Sequence, residues 1–477
     1  MVFSSVIFLI YFLPVFLILY YITPTKFKNI VLLLASILFY SWGAPKFIFV
    51  LLGTTFADFY LVKWMYECTE SRKQKILLSV SVLMNIGLLC YFKYANFFIE
   101  NVNAVFLQSG VTEIKWISVV LPIGISFYTF ETITYVVDVY RGIHKPLKNV
   151  WDYQVYIMLF PKLIAGPIIR FHDLADQIKA EDRKKNDTFE NRLIGFYRFC
   201  IGLGKKVIIA NQVGAQADLI FNQESFANLS TSAAWLGILA YTFQIYFDFS
   251  GYSDMAIGIG RMMGFRFPEN FNNPYTASSI TDFWRRWHIS VSSWMKNYLY
   301  IPLGGNRVKS TSRLYFNLWL VFLISGLWHG AAWSFVFWGA YHGLFLILER
   351  GFLLKFYEGI GRLPSTLITF VIVMIGWVFF RVEDFSRSIQ YLKRMFTFSS
   401  PTLISFSPQF YTFAVMAVFF SFFTMFKNGQ KVQDAVYFNN YAMPKHIAMF
   451  VISNLLLVLS LSYIVSSGFN PFIYFRF

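Results

Sequence analysis

Residues 314–348 read LYFNLWLVFLISGLWHGAAWSFVFWGAYHGLFLIL, a run without any Asp, Glu, Lys or Arg. As one continuous helix this run would be about 52 Å long, because an α-helix rises 1.5 Å per residue. The hydrocarbon core of a bilayer is only about 30 Å thick. The run must therefore break, tilt or dip within the membrane. We expect the break at one of its glycines, Gly326, Gly330 or Gly339.

The whole chain has the composition of a multi-pass membrane protein. Of its 477 residues, 57% are hydrophobic and 14% are charged, whereas soluble domains carry about 25% charged residues. Residues 2–22 are uncharged and long enough to span a bilayer, and they do not have the pattern of a cleaved signal peptide. We expect them to form the first of about eleven transmembrane helices, accompanied by re-entrant or interfacial helices. The predicted fold class is an all-α integral membrane protein, with residues 1–477 as a single polytopic domain.

The net charge of +16 comes from short basic clusters between apolar runs. A nucleic-acid-binding protein would gather such charge into one stripe or tail, so nucleic acid is not an expected partner. Lys and Arg collect in the cytoplasmic loops of membrane proteins, which predicts that the loops near residues 26–28, 63–75, 141–148 and 179–185 are cytoplasmic. The polar and aromatic residues 261–313 predict a segment at the cytoplasmic interface. The three cysteines are scattered, which excludes a disulfide framework or a cysteine metal site.

His329 is an ionisable side chain inside the charge-free run 314–348. Ionisable groups inside membranes are rare and tend to mark pathways or reaction centres. Burial keeps an imidazole neutral, and a neutral imidazole is well suited to accept a proton from a hydroxyl near neutral pH. The alternative is a core histidine that is hydrogen-bonded to a neighbouring carbonyl or hydroxyl. Its position in the sequence does not separate these two interpretations.

A second histidine, His288, ends the aromatic and basic stretch TDFWRRWH at 281–288. If residues 281–298 form one helix that begins near Thr281 or Asp282, aromatic side chains and His288 share one face and most basic side chains lie elsewhere. This pattern is typical of an interfacial helix with Trp anchors and solvated arginines. It also suits the wall of a cavity where aromatic side chains line an acyl chain and basic side chains bind donor phosphates.

Three carboxylates, Glu131, Asp248 and Asp254, lie in an apolar context. Spaced acidic residues inside a membrane can form an ion or proton path, as in a secondary transporter. They can also serve as buried partners of the arginines. We favour this second interpretation.

Several longer motifs occur in a fixed order along the chain. They are LPIGISFYTFETITYVVDVYRG at 121–142, FPKLIAGPIIRF at 160–171, YFDFSGYSDMAIGIGRMMGFRFPENFNNPY at 246–275, DFWRRWHISVSSWMKNYLYIPLGGNR at 282–307, GLWHG at 326–330 and the terminal FIYFRF. Together they resemble the membrane-bound O-acyltransferase family, in the branch of the alginate O-acetyltransferases. The resemblance implies a ring of tilted helices around a central pocket that is reached by a cytoplasmic funnel.

The resemblance also implies roles for individual residues. His329 falls on the histidine of the family's WHG motif and is the expected catalytic residue, and His288 falls on the second histidine of the branch. Where the branch carries Arg-Asp before a Tyr, this chain has Lys296-Asn297-Tyr298 and thus lacks a carboxylate. The residues that we expect to bind the donor or substrate are Asp282, Trp284, Arg285, Arg286, Trp287, Lys296, Asn297, Tyr298 and Trp328.

The activity implied by the resemblance is acetyl transfer from a cytoplasmic thioester such as acetyl-CoA to an extracytoplasmic polysaccharide, either alginate-type or peptidoglycan. It implies a bacterial cytoplasmic (inner) membrane location, contact with lipid and a partner acetyltransferase outside, and no bound cofactor or metal is expected. Within the family, D-alanyl transfer to teichoic acid is the alternative. Outside the family, the alternatives are an ion-coupled secondary transporter and a structural protein that docks a secreted enzyme.

Overall fold

The computed structural model describes residues 1–398, 406–438, 441–467 and 471–473. The described residues form helices that are joined by turns and loops, without any strand among them, so the predicted all-α class is confirmed. The chain divides into two compact units. The first consists of Met1–Gly195 and Ala256–Pro268, and the second of Phe196–Met255 and Glu269–Phe477.

The first unit contains nine α-helices, several of them short. They are α1 (Leu13–Ile22), α2 (Lys28–Gly43), α3 (Ile48–Glu67), α4 (Ser71–Gln108), α5 (Ile125–Tyr140), α6 (Val150–Met158), α7 (Phe160–Leu163), α8 (Phe171–Leu174) and α9 (Ala180–Arg183). A π-helical turn and two 3-10 turns accompany them at Ile7–Phe12, Thr25–Phe27 and Ala175–Gln177.

Two helices, α10 (Phe189–Gly204) and α12 (Thr231–Met262), contribute residues to both units. The other helices of the second unit are α11 (Asn211–Phe221), α13 (Ile280–Arg286), α14 (Ile289–Trp294), α15 (Thr311–His329), α16 (Trp333–Leu348), α17 (Leu354–Ile360), α18 (Arg362–Arg381), α19 (Phe385–Phe396), α20 (Pro408–Phe422), α21 (Lys427–Tyr437) and α22 (Met443–Ser467). Its π-helical turns lie at Lys205–Ala210, Met295–Tyr300 and Glu349–Leu353, and its 3-10 turns at Pro274–Thr276 and Phe423–Met425.

Among the described residues, five helices are long and apolar enough to cross a membrane. They are Ile48–Glu67, Ser71–Gln108, Arg362–Arg381, Pro408–Met425 and Met443–Ser466. The N-terminal segment Ile7–Ile22 is apolar but shorter. The figure of about eleven spans stays a prediction.

The N-terminal helices of the first unit pack through aromatic rings. The Phe160 ring, at the start of α7, lies with its centroid 5.1 to 6.4 Å from the rings of Phe8, Phe12, Phe16 and Phe39. These distances fall in the range where edge-to-face pairs are favourable. The short helix α7 is therefore fixed against α1 and α2 by side-chain packing.

The charge-free run 314–348 breaks as predicted, at one of the three glycines. α15 ends at His329, Gly330 follows in an extended conformation, and α16 begins at Trp333. A Cβ added to Gly330 would lie 2.1 Å from the ring of Phe335, closer than any real carbon contact. Glycine is therefore required here by space, because an extended backbone is open to any residue.

The prediction of one continuous helix over 281–298 is wrong. α13 and α14 are separate helices, with Trp287 and His288 between them. His288 has φ 45° and ψ 54°, a left-handed conformation that is strained for a residue with a Cβ. The start of α13 is capped by Ser279, whose hydroxyl accepts a hydrogen bond from the Asp282 N–H at 3.0 Å. The positions of Trp287 and His288 are set by this break and not by a helical face.

Candidate active site

His329 is the last residue of α15, and the close packing of α15 on α16 places it. A Cβ added to Gly326 would lie 2.3 Å from the carbonyl oxygen of Phe335, and one added to Gly339 would lie 2.3 Å from that of Phe322. Because real Cβ atoms do not approach so closely, only glycine allows this distance between the two helices. Small residues are the usual means of close helix packing in membranes. The glycines therefore position the catalytic candidate at the end of the hairpin.

The His329 imidazole is buried among aromatic rings. Its centroid lies 4.8 Å from Trp328, 5.0 Å from Trp338 and 5.4 Å from Phe380, and the residue is 5% exposed. His329 faces a cavity of about 10 Å³, which is close to the least volume that holds a water molecule. Seven further described residues line it, none of them ionisable: Ile245, Phe249, Trp287, Trp338, Trp377, Phe380 and Ile473. A titratable nitrogen is thus presented to a narrow, apolar space.

His288 is also buried, and its Nδ1 takes part in a hydrogen-bonded cluster. Nδ1 lies 3.0 Å from Asn270 Oδ1 and 3.4 Å from the Ser290 hydroxyl. Asn270 Oδ1 also accepts from the Ser290 N–H at 3.2 Å, while the Asn270 amide donates to the Ser253 hydroxyl at 3.0 Å. Since a carbonyl oxygen can only accept, we assign the proton to Nδ1. Burial lowers the pKa of His288 to about 3, so the ring is neutral.

One layer of aromatic rings separates the two histidines. The Phe249 ring, which lines the cavity, lies 4.6 Å from that of His288. The Trp328 ring lies 6.3 Å from His288 and 4.8 Å from His329. Among the described residues, His288 is not part of the cavity wall. The structure therefore brings both predicted histidines into one buried cluster, with His329 alone facing the cavity.

The predicted binding tryptophans belong to the same aromatic cluster. Trp287 lines the cavity, and Trp328 contacts both histidine rings. Trp284 packs against Trp338 and His342, with ring centroids 5.5 Å and 5.1 Å away. Trp284 thus supports the cavity wall from behind.

The predicted charged residues lie outside the cavity wall. Asp282 Oδ2 accepts from Arg286 Nε at 2.9 Å, one helical turn along α13. Arg285 and Lys296 are exposed. Neither of these two cations lines the cavity.

The last two predicted residues lie on the π-helical turn Met295–Tyr300 and make local contacts. The Asn297 amide donates to the Ser293 carbonyl at 2.8 Å. The Tyr298 ring stacks on Trp294 at a centroid distance of 5.5 Å. The asparagine that replaces the branch's carboxylate therefore takes part in a helical hydrogen bond.

His342 is a buried residue that was not predicted, although the sequence contains an indication of it. His342 is the second histidine of the run 314–348 and is fully buried in α16. Neither of its ring nitrogens has a hydrogen-bond partner in the described part of the chain. The criterion that singled out His329 would have found His342 as well. The cavity residues Phe249 and Trp377, in contrast, are ordinary aromatic residues of apolar runs and carry no such signal.

The buried carboxylates are paired with cations. The pairs are Glu131 with Lys162, Asp248 with Lys206 at 2.8 Å, and Asp254 with Lys205 and Arg198, both at 2.6 Å. The favoured interpretation of these acids as buried partners of cations is confirmed. Asp254 has the expected arginine, whereas the cations that pair with Glu131 and Asp248 in these bridges are lysines.

Asp248 also fixes one wall of the cavity. Its Oδ2 accepts a hydrogen bond from the Ile473 backbone N–H at 2.7 Å, and Lys206 donates to the Pro471 carbonyl at 3.2 Å. The Phe472 ring lies 5.7 Å from that of Phe249. Residues 471–473 are therefore held beside the cavity by one ion pair and its hydrogen bonds.

Comparison with known proteins places this geometry in context. A family model described as MBOAT, membrane-bound O-acyltransferase family, matches residues 77–382, a range that includes both histidines. The chain is 45% identical over 407 residues to "Probable alginate O-acetylase AlgI" of Pseudomonas aeruginosa, covering 84% of this chain and 76% of that protein. It is 37% identical over 427 residues to the peptidoglycan O-acetyltransferase of Helicobacter pylori, covering 83% and 80%. It is 29% identical over 281 residues to the teichoic acid D-alanyltransferase of Bacillus subtilis, covering 55% and 69%.

Proposed function

The chain belongs to the membrane-bound O-acyltransferase family, and from that premise we propose that it moves an acetyl group from a cytoplasmic thioester across the bacterial inner membrane for O-acetylation of an extracytoplasmic polysaccharide. Its nature as a multi-pass membrane O-acyltransferase is confirmed by the family match and the relatives. The proposal concerns the donor, the acceptor, the membrane and the residue roles. The observation that carries it is the His329 imidazole at a narrow, apolar cavity.

We assign His329 the role of general base. Its basic ring nitrogen removes the proton from a hydroxyl of the acceptor or of a relay partner, and the hydroxyl oxygen attacks the carbonyl carbon of the acetyl thioester. The carbon–sulfur bond breaks, and the thiolate leaves with the proton that the imidazole returns. General base catalysis of this kind contributes about 100- to 10,000-fold to a rate. A neutral histidine suits this role in an apolar site better than a carboxylate, because burial does not cost it a charge.

The small size of the cavity limits the access of water to His329. A cavity volume of about 10 Å³ is close to the least that holds one water molecule, so any acyl group enters only when the aromatic wall moves. A nearly dry site also limits hydrolysis of the thioester by water. A site with so little room for water favours transfer of the acyl group to a hydroxyl over hydrolysis.

His288 is assigned a positioning role. It contacts Phe249, a wall residue, and Trp328, the neighbour of His329. Because Asn270 and Ser290 hold its Nδ1 side, the ring orients these aromatic neighbours.

The exposed cations Arg285 and Lys296 are assigned to the donor. A thioester carrier such as coenzyme A bears phosphates, which arginine and lysine bind through charge-assisted hydrogen bonds. The predicted cytoplasmic side of residues 261–313 is the side on which such a carrier is available.

The proposed acceptor, an extracytoplasmic polysaccharide, is inferred from the names of the relatives. Two relatives that align over more than four-fifths of this chain carry names for alginate and peptidoglycan O-acetylation. An extracytoplasmic partner acetyltransferase would pass the acetyl group to the glycan. D-alanyl transfer to teichoic acid is the second candidate, because the relative with that name aligns over 55% of this chain.

One labelling experiment tests the donor and the acceptor together. Membranes that contain the protein are incubated with acetyl-labelled acetyl-CoA, and parallel membranes receive a labelled D-alanyl thioester carrier. We expect alkali-labile label on an extracytoplasmic polysaccharide from acetyl-CoA only, and none in membranes without the protein. Label on the polymer from the D-alanyl carrier alone would show that the protein transfers D-alanine and not acetyl groups. Uptake of a small solute without any thioester consumption would favour a transporter and overturn the proposal.

A further inference from the structure

A groove of about 520 Å³ opens on the first unit, at residues that the proposed chemistry does not use. It lies between α2, the start of α6 and the start of α9. Ligand sites in proteins typically measure about 300–1,000 Å³. The large apolar side chains of its lining are Ile30, Leu33, Leu34, Ile37, Trp151 and Val155.

The apolar wall has the shape of a slot along α2. The lining residues of α2 run from Asn29 to Ile37, which is about 12 Å along the helix axis. Ile30 and Leu34 are four residues apart and so share one face, and Val155 of α6 also lines the groove. A slot of this length suits part of an extended hydrocarbon chain.

The polar end of the groove is a preformed hydrogen-bonded cluster. The Asn29 amide donates to Asp152 Oδ1 and to the Ile178 carbonyl, both at 3.0 Å. Arg183, which is 1% exposed, donates to Asn29 Oδ1 at 2.7 Å. These bonds tie α2, α6 and α9 together, so the groove does not depend on mobile side chains for its shape.

The mouth of the groove carries charges of both signs. Lys26 and Lys179 line it together with Asp152 and Glu181. In the described part of the chain, none of these four side chains belongs to an ion pair. Trp151 lies at the same end and is 61% exposed, as tryptophans of the membrane interface are.

We infer that this groove binds one phospholipid whose head group carries both a phosphate and a primary amine, as phosphatidylethanolamine does. One acyl chain lies in the slot along α2. The phosphate accepts hydrogen bonds from Lys26 and Lys179, and the ammonium donates to Asp152 and Glu181. An anionic lipid without an amine would leave these carboxylates facing like charge, and a quaternary ammonium has no N–H to donate. The predicted orientation of the loops near residues 26–28 and 179–185 assigns the lipid to the cytoplasmic leaflet.

The first test uses the unaltered full-length protein. Purified protein is stripped of lipid in detergent and titrated with phosphatidylethanolamine, phosphatidylcholine or phosphatidylglycerol of identical acyl chains, and native mass spectrometry counts the bound lipids. We expect one phosphatidylethanolamine per chain, bound at least about tenfold more tightly than the other two, since each of them loses charge-assisted hydrogen bonds of the head group. Equal binding of all three lipids would show an ordinary lipid-facing surface and overturn the inference.

A pair of triple variants tests the head-group contacts. Lys26→Gln, Lys179→Gln and Glu181→Gln together should weaken phosphatidylethanolamine binding about tenfold. The matched control changes three exposed residues in and after α9 that do not line the groove, through Lys184→Gln, Lys185→Gln and Asp182→Asn. It makes the same change in charge and should bind as the unaltered protein does. An equal effect of both triple variants would overturn the inference.

A second pair tests the slot for the acyl chain. Ile37→Trp places a large side chain in the groove and should abolish binding of every lipid at this site. The control Leu38→Trp alters the next residue of α2, which is exposed and does not line the groove. Displacement of the bound lipid by acetyl-CoA would make the groove a donor site and overturn the inference. Acyl transfer should be unchanged in the head-group variant, so failure of this inference leaves the proposed function standing.

Discussion

The buried carboxylates and the buried catalytic candidate of this protein lie in opposite surroundings. Glu131 and Asp254 are 1% and 4% exposed, and each carboxylate has at least one cation within hydrogen-bonding distance. His329 is buried to a similar extent, at 5% exposed, but its ring neighbours are Trp328, Trp338 and Phe380. Depth in the protein therefore does not distinguish these groups, whereas the chemistry of their neighbours does.

This difference in surroundings indicates which of the buried groups suit a structural role and which suit proton transfer. A buried ion pair is close to neutral in energy as long as both partners remain, and breaking it is costly. An ion-coupling carboxylate must exchange its partner for the transported ion, which a carboxylate held by fixed cations resists. Burial keeps an imidazole neutral, so that its unprotonated nitrogen can accept a proton from a hydroxyl. The carboxylates of this chain therefore suit a structural role, and His329 suits proton transfer.

The largest expected effect is that of His329→Ala on acyl transfer. Removing the general base should lower the rate about 100- to 10,000-fold, while membrane insertion remains normal. The assay is transfer of labelled acetyl groups in membranes with matched protein levels. His144→Ala is the control, because this histidine lies in a loop and bonds the exposed Asp176. Near-normal transfer by His329→Ala would refute the assignment.

Breaking one ion pair should affect stability strongly. Glu131→Gln leaves the fully buried Lys162 ammonium without its carboxylate and should destabilise the protein by about 3–5 kcal/mol. The double variant Glu131→Gln with Lys162→Met removes both charges and should regain most of that loss. Unfolding in detergent measures stability, and the double variant should retain acyl transfer. Loss of transfer in a stable double variant would give this carboxylate a functional role and reverse the comparison.

The close approach of α15 and α16 gives an intermediate prediction. Gly326→Ala introduces a Cβ 2.3 Å from the Phe335 carbonyl oxygen, and overpacking of this kind costs about 1–3 kcal/mol. The helices must move apart, which displaces His329 and should lower kcat more than it changes KM. The control is Gly351→Ala, where no heavy atom lies within 4 Å of the new Cβ. Equal activity of the two variants would show that the hairpin tolerates the shift.

A smaller effect is expected from the hydrogen-bonded cluster around His288. Asn270→Ala removes the acceptor of the His288 Nδ1 proton and leaves buried donors unsatisfied, at about 1–3 kcal/mol. If His288 orients the aromatic layer, kcat should fall about tenfold while KM changes little. Asn272→Ala, at an exposed neighbouring position, is the control. A change in stability without a change in kcat would leave His288 a purely structural residue.

The smallest effect concerns the exposed cations. Arg285→Gln together with Lys296→Gln should raise KM for the thioester about threefold at low salt and leave kcat unchanged, because exposed charges act weakly and are screened. Kinetics at two salt concentrations measure the effect, which should shrink at the higher one. The control exchanges two other exposed arginines, through Arg307→Gln and Arg313→Gln. A salt-independent loss, or the same loss in the control, would remove the donor assignment.

Much of the fold and part of the site could be predicted from the sequence. The absence of charge over 314–348 correctly indicated a broken helical run, because a bilayer limits how long a straight apolar helix can be. The same reasoning singled out His329. The family motifs correctly indicated the O-acyltransferase family, whose model match spans both histidines.

The rest of the site depends on properties that local patterns do not encode. Helical periodicity over 281–298 did not predict the left-handed backbone at His288. Residues in this conformation are usually glycines, and a histidine in the sequence does not indicate it. The cavity wall includes Ile245, Trp377 and Ile473. These residues are far apart in the chain and meet only through long-range packing. The charge pattern indicated that the acids have partners, but it did not identify the lysines that serve as those partners.

The hydrogen bond between Asp248 and the Ile473 amide joins residues that are 225 positions apart in the sequence. During synthesis, both histidines leave the ribosome well before Ile473 does. A nascent chain can therefore insert its helices and form the α15–α16 hairpin while the cavity still lacks this wall. The cavity is complete only after residues 471–473 have been synthesised and have joined Asp248.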